Sequence, residues 1–291
     1  MAAPTLVEVV RLSTRFLSER GSESPRLDAE LLAAHSLGLR RIDLYLQHDR
    51  PLAEGELEPM RALLRRRAAG EPVAYLVGER EFYGRPFRVT PDVLIPRPET
   101  ETLVERTLRW ARAAAGPQGE GLRLADAGTG SGCIACTLAA ELPATEVVAG
   151  DVSAAAVVVA RDNAARLGVA DRVTVGEGSW EAPLAPHAPF DALLSNPPYV
   201  TGGEMEGLMR EVRDHEPRLA LEAGEDGLDA YRELLGRCLP LVRPGGFLAL
   251  EIDPRRRDAV VDLVVAGRPG SAVLVVDDLA GHARVLEARL S

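Results

Sequence analysis

The sequence predicts an α/β protein: a doubly wound, mainly parallel sheet, preceded by a smaller helical domain and a β-hairpin linker. Three observations carry that expectation. From residue 122 onward, short apolar runs alternate with helical stretches in a βαβ rhythm. A glycine-rich turn, Gly128-Thr129-Gly130-Ser131-Gly132, joins the first of those runs to its helix. A later apolar run, Phe190-Asp191-Ala192-Leu193-Leu194-Ser195, stops at Asn196-Pro197-Pro198-Tyr199, where two prolines fix φ and offer no ladder hydrogen bond.

The first 71 residues read as a helical domain. Leu6, Val9, Val10, Leu12 and Phe16 recur at helical spacing, and Gly21 offers a stop. Leu27, Leu31, Leu32 and Leu37 form a second stripe, and residues 52–69 a third helical stretch. Residues 72–97 read as the hairpin linker, with strands over 73–78 and 87–90 around Glu81-Phe82-Tyr83-Gly84. Residues 98–291 form the α/β domain. Its first helix covers 99–114, with Pro98 in the first turn and Glu99 and Glu101 at the positive end of the dipole. Strands follow over 122–127, 146–149, 173–175, 190–195, 247–252, 272–276 and 285–288. Helices are expected over 133–141, 154–167, 228–241 and 259–265.

Bulk composition narrows the function classes. At 291 residues, one large and one small domain is the expectation, and 46% hydrophobic residues suffice for a sizeable core. All 34 basic residues are Arg, and the net charge is −10, so a grip on duplex phosphates is not expected. A helix-turn-helix reader in the first domain fits that balance poorly, whereas docking of a protein partner fits it well. No apolar run reaches the roughly 18–20 residues of a membrane span. The start of the chain lacks a secretory layout, and three cysteines do not make a disulfide framework, so a cytoplasmic location is expected. Cys133-Ile134-Ala135-Cys136 reads as small buried side chains on a packed helix, and the five scattered histidines lack metal spacing. No metal is expected.

The glycine turn carries the first chemical signal. A dinucleotide fingerprint wants glycine where Cys133 stands, and no Gly-Lys-Ser/Thr follows for a phosphate loop. Gly128, Gly130 and Gly132 give the tighter pattern of loops that hold S-adenosylmethionine, with Thr129 and Ser131 between them. Asp151, closing the second strand, is placed to accept both ribose hydroxyls or to start the next helix. Trp180, after the third strand, is placed to lie against an adenine ring. Asn196 and Tyr199 project beyond a strand's carboxyl end, where open α/β sheets bind ligands.

With these pieces placed, the chain resembles the release-factor glutamine methyltransferases, a branch of the class I S-adenosylmethionine-dependent methyltransferases with a Rossmann-like fold. Asp126 through Gly132 and Ser195 through Tyr199 are shared with many methyltransferases. The run from Gly78-Glu79-Arg80-Glu81-Phe82-Tyr83-Gly84 into Leu94-Ile95-Pro96-Arg97-Pro98-Glu99-Thr100-Glu101 is narrower. Glu216-Pro217, Gly227-Leu228 and Gly245-Gly246 through Glu251-Ile252 extend the likeness over nearly the whole chain. The family commonly has Asp where Ser179 stands and Gly after Glu251-Ile252, where Asp253-Pro254 is expected to alter only a surface turn.

The resemblance implies S-adenosylmethionine as cofactor, a peptide chain release factor as partner, and N5-methylation of the glutamine in its Gly-Gly-Gln loop. Asn196 Oδ1 and the Pro197 carbonyl would each accept one N–H of that glutamine, and Pro198 and Tyr199 would complete its site. Tyr199 would pack on the amide or steady positive charge by cation–π attraction. Two rivals share the tetrapeptide. Adenine-N6 DNA methyltransferases use it on an exocyclic amino group, which the acidic charge disfavours. Ribosomal-protein glutamine methyltransferases differ after Ile-Pro-Arg. A scaffold that keeps the fold without binding cofactor is the non-enzymatic alternative, against which the glycine loop, Asp151 and Asn196 argue.

Overall fold

The computed structural model describes residues 3–278 and 280–291. The chain divides into two compact units, Met1–Glu79 with Met209–His215, and Arg80–Leu208 with Glu216–Ser291. The hairpin thus falls with the second unit, and a seven-residue segment from deep in the chain falls with the first.

The first unit is helical: α1 (Leu6–Ser18), α2 (Pro25–Leu37), α3 (Asp43–Leu46), α4 (Glu54–Ala68) and α5 (Val73–Val77). Helix α1 opens on a capping box, with the Thr5 N–H donating to Glu8 Oε2 at 2.8 Å. Helix α2 has Pro25 at its first turn and ends on Gly38 in the left-handed region. Leu6, Leu17, Leu32, Leu57, Met60 and Leu64 form the core between these helices. Buried Asp28 pairs with Arg67 at 2.8 Å, and Arg67 also bonds Glu211, which fastens the returning segment to this unit. Residues 73–77, expected as a strand, are helical. Pro72 supplies the N-cap, Gly78 at φ 80° ends the turn, and Tyr75 and Leu76 are buried, so short-range capping overrides β propensity.

The second unit begins with the hairpin β1 (Glu79–Phe82) and β2 (Arg85–Arg88), followed by α6 (Thr100–Ala115). Pro98 lies ahead of α6 rather than in its first turn, because Glu99 is the N-cap. Then come β3 (Arg123–Ala127), α7 (Cys133–Glu141), β4 (Glu146–Asp151), α8 (Ala154–Arg166), β5 (Val173–Glu177) and β6 (Phe190–Ser195). After α9 (Arg210–His215, in the first unit) follow α10 (Asp229–Cys238), β7 (Val242–Glu251), α11 (Arg257–Gly267), β8 (Ala272–Asp277) and β9 (Ala283–Arg289). The seven-stranded sheet has the order β5-β4-β3-β6-β7-β9-β8. Strands β5 through β7 run parallel, while β9 inserts antiparallel between β7 and β8.

Period-two side chains explain the two layers. In β3, Leu124 faces one core and Ala125 the other; in β6, Ala192 and Leu194 face the first, and Leu193 the second. Strand β7 repeats the pattern with Phe247 and Ala249 against Leu248 and Leu250. The first core is closed by α6, α7 and α8, where Trp110 stacks on Phe247 at 4.9 Å between ring centroids. The second is closed by α10 and α11, through Tyr231, Leu234, Val260 and Val264. Each fully buried Leu or Val contributes about 1.5–3 kcal/mol. Strand order reverses between β3, which continues to β4, and its other neighbour β6. That switch point opens a crevice at the strands' carboxyl ends.

Candidate active site

The crevice is a cavity of about 580 Å³. The glycine turn after β3, Asp151 after β4, the turn after β5 and the end of β6 line it, with residues 92–97 and 217–224 as further walls. Gly128 and Thr129 donate their N–H groups to the Gly150 carbonyl at 2.9 Å, which folds the turn over the end of β4. Gly130 adopts φ 55° and gives its N–H to Asp151 Oδ2 at 2.8 Å. Gly132 adopts φ 79°, and a Cβ there would stand 3.1 Å from Ala160 Cβ. Its role is close packing of α7 on α8, and it does not line the cavity.

Asp151 is tied on both oxygens. Oδ1 accepts from Ser153 N–H at 2.9 Å and Oδ2 from Gly130 N–H at 2.8 Å, and Asp151 lines the cavity. Burial raises its pKa against those backbone bonds. The cap of α8 is Ser153, whose Oγ accepts from Ala156 N–H. Asp126 is fully buried, accepts the Thr129 hydroxyl at 2.6 Å, and is pushed by burial up to about 7. Ser131 Oγ is buried without a hydrogen-bond partner. Trp180 holds φ 43°, uncommon for so large a side chain, and its indole N–H donates to Glu233 Oε2 at 2.8 Å. The indole passes 3.9 Å from where a Gly128 Cβ would sit. Cavity and indole thus meet at the glycine turn.

At the end of β6, the Ser195 hydroxyl donates to the Ala127 carbonyl at 2.6 Å, which locks the ends of β3 and β6 together. Asn196 and Pro198 line the cavity, whereas Pro197 is buried and Tyr199 half-buried against the core around Tyr231. Burial raises the Tyr199 hydroxyl well above its ordinary pKa. Val200 then pairs with residues 221–223. The Asn196 amide donates from Nδ2 to Thr100 Oγ1 at 3.2 Å, and Thr100 donates to Glu251 Oε2 at 2.5 Å. Glu251 is 1% exposed, and burial pushes its pKa up to about 7.

The structure thus gathers Gly128, Thr129, Gly130, Ser131, Asp151, Trp180, Asn196 and Pro198 around one cavity. Sequence reasoning assigned no role to Thr100, Asp126 or Glu251. The signal for Glu251 was a carboxylate inside the apolar run Phe247-Leu248-Ala249-Leu250, an arrangement that burial makes costly. Asp253 also departs from expectation. It is 5% exposed, caps Arg255 N–H at 2.8 Å and pairs with Arg256 at 3.3 Å, so it is an interior brace and not a surface turn.

The wall formed by residues 92–97 is held from below by Glu216, whose side chain is 1% exposed. Its carboxylate accepts from Arg97 at 2.6 Å and from Ile95 N–H at 3.1 Å. Glu216→Ala would leave a buried N–H and a guanidinium unmatched, and about 2–3 kcal/mol of stability should be lost. Chemical denaturation measures that loss, and limited proteolysis should cut first in residues 92–97.

A crevice at the switch point, entered by a glycine turn with no phosphate-binding lysine, faces an Asn-Pro-Pro-Tyr strand end. Fold and site together define a methyltransferase. A family model described as the PrmC N-terminal domain matches residues 8–78, and one described as the methyltransferase small domain matches residues 115–219. The release factor glutamine methyltransferase of Chlorobaculum tepidum is 45% identical over 251 residues, 85% of each chain. That of Moorella thermoacetica is 44% identical over 280 residues, 96% of each chain. The chain belongs to the release factor glutamine methyltransferase family. Among solved structures, the hMettl16 catalytic domain in complex with a MAT2A 3′UTR hairpin has a TM-score of 0.56 at 17% identity, over 79% of this chain and 82% of that one. That likeness concerns the fold alone. Among the described residues, no helix is long and apolar enough to cross a membrane.

Proposed function

We propose that this chain transfers a methyl group from S-adenosylmethionine to the side-chain nitrogen of the glutamine in the Gly-Gly-Gln loop of a peptide chain release factor. The observation that carries the reading is Asn196 at the cavity wall, its NH₂ held by Thr100 and its oxygen left as an acceptor. Membership of the family supports the choice of substrate. The helical unit, expected over residues 1–71, serves as the docking surface. Contact with nucleic acid or membrane plays no part, and the setting is the cytoplasm.

The residues present suit the cofactor. Ser131 Oγ stands without a partner, the Asp151 carboxylate lines the cavity, and the glycine turn brings no Cβ into the crevice at Gly128 and Gly130. When bound, S-adenosylmethionine supplies an electrophilic methyl on a sulfonium. Gly128, Thr129, Gly130 and Ser131 would border the cofactor, Asp151 would accept the ribose hydroxyls, and Trp180 would lie against the adenine.

An amide nitrogen is a poor nucleophile because its lone pair is shared with the carbonyl. Asn196 Oδ1 and the Pro197 carbonyl accept its two N–H bonds, aim it in line and favour the positive charge that grows on it. Pro198 completes the wall around the amide, whereas Tyr199 is packed on the core around Tyr231 and does not line the cavity. A strong base is unnecessary, since an N-methylated amide cation sheds its proton readily. Incubation with methyl-labelled cofactor and a release factor, adenine-containing DNA or ribosomal protein tests the reading. Label should appear on the release factor glutamine; label on DNA alone would overturn the reading.

A further inference from the structure

We infer that Thr100 and Glu251 are positioning residues for methyl transfer, acting through Asn196 to present its carboxamide oxygen, and not its NH₂, to the substrate. The inference rests on the role proposed above for Asn196. Thr100 opens α6, Glu251 closes β7 and Asn196 follows β6, so three separate elements converge on this chain of bonds. The Thr100 hydroxyl has a single hydrogen, which it gives to Glu251 at 2.5 Å. Toward Asn196, at 3.2 Å, it can then act only as an acceptor, and only the NH₂ end of the carboxamide can meet it. An ionised carboxylate, acceptor-only, thereby sets the polarity of the whole relay.

The surroundings explain why a carboxylate stands there. Thr100 is 2% and Glu251 1% exposed, between Leu250 and Ile252, which are wholly buried. An apolar residue would fill that space without the cost of desolvating a charge. The positive charges of Arg284 from β9 and Arg97 ahead of α6 favour its charged form, while the charge of Glu99 opposes it. Tyr199, Tyr231 and Cys133 also lie within its field, and the Tyr231 hydroxyl is spent on the Glu251 backbone carbonyl at 2.9 Å.

Protonation reverses the relay. A protonated Glu251 donates to Thr100, and the Thr100 hydrogen turns to the Asn196 oxygen. The NH₂ then faces a substrate amide that is itself a donor. Burial holds the Glu251 pKa at about 7, so transfer should fall as the pH drops through that value and the acid form accumulates. Asp126 is also pushed to about 7, which makes the Glu251 variant the control that separates the two.

The test measures transfer from labelled S-adenosylmethionine to a full-length release factor by the wild type, Thr100→Val, Thr100→Ser and Glu251→Gln, with cofactor affinity by calorimetry and folding by thermal melting. Thr100→Val should lose about 10–100-fold in kcat, the scale of a misaligned reacting group, with cofactor affinity unchanged. Thr100→Ser should recover most of that loss, because it restores the hydroxyl. Glu251→Gln should flatten the acid limb of the pH profile. Thr100→Val as active as the wild type, Thr100→Ser as impaired as Thr100→Val, or an unchanged acid limb in Glu251→Gln would each overturn the positioning role. A wild type that labels no release factor would instead sink the proposed function, and this inference with it.

Discussion

Asn196→Ala should fold, bind S-adenosylmethionine with modestly reduced affinity, and lose about 10²–10³-fold in kcat, the cost of removing one preorganised group from a developing charge. The side chain lines the cavity but takes no part in the core, so its truncation leaves both apolar layers intact. Asn196→Asp is the sharper companion. It keeps the acceptor oxygen but replaces the NH₂ that Thr100 receives, so two acceptors face each other at 3.2 Å beside the Glu251 carboxylate. That variant should be nearly as poor as the alanine. Rapid-quench transfer under saturating cofactor, with calorimetry alongside, separates lost chemistry from lost binding. Turnover retained in Asn196→Ala would remove Asn196 from the mechanism.

The two variants also mark where the sequence was readable. The alternation in β3, β6 and β7 and the stop at Pro197-Pro198 follow from local rules of period and φ, so the parallel sheet and its switch point were legible in advance. The glycine turn was legible too, because few local structures want three glycines at that spacing. The short helix at Val73–Val77 was not, since its apolar β-branched run matches a strand until Pro72 and Gly78 are weighed as caps. The relay behind Asn196 was hidden for another reason. Thr100 lies 96 residues from Asn196 and 151 from Glu251, and nothing periodic connects such positions. Tyr199 shows the converse limit. Its place in the motif drew it toward the substrate, yet much of its ring is packed on the second core.

Asp151→Ala should separate cofactor binding from transfer in the opposite sense. The carboxylate does two things at once. It receives Gly130 N–H at 2.8 Å and so fixes the glycine turn, and in the proposed function it accepts the two ribose hydroxyls. Truncation removes the acceptor for both hydroxyls and leaves the Gly130 and Ser153 N–H groups to water. Two lost charge-assisted hydrogen bonds, at about 1.5 kcal/mol each, correspond to about 100-fold weaker cofactor affinity. The substrate wall built from Asn196 and Pro198 is untouched, so kcat at saturating cofactor should stay close to that of the wild type. Relief of the desolvation that burial imposes on the carboxylate offsets part of the cost of the two backbone N–H groups left without an acceptor, so stability should fall only modestly. Calorimetry with S-adenosylmethionine reads the affinity and single-turnover rates read the chemistry. A variant that binds normally but transfers slowly would place Asp151 with the reacting groups, and the ribose would then need another partner in the crevice.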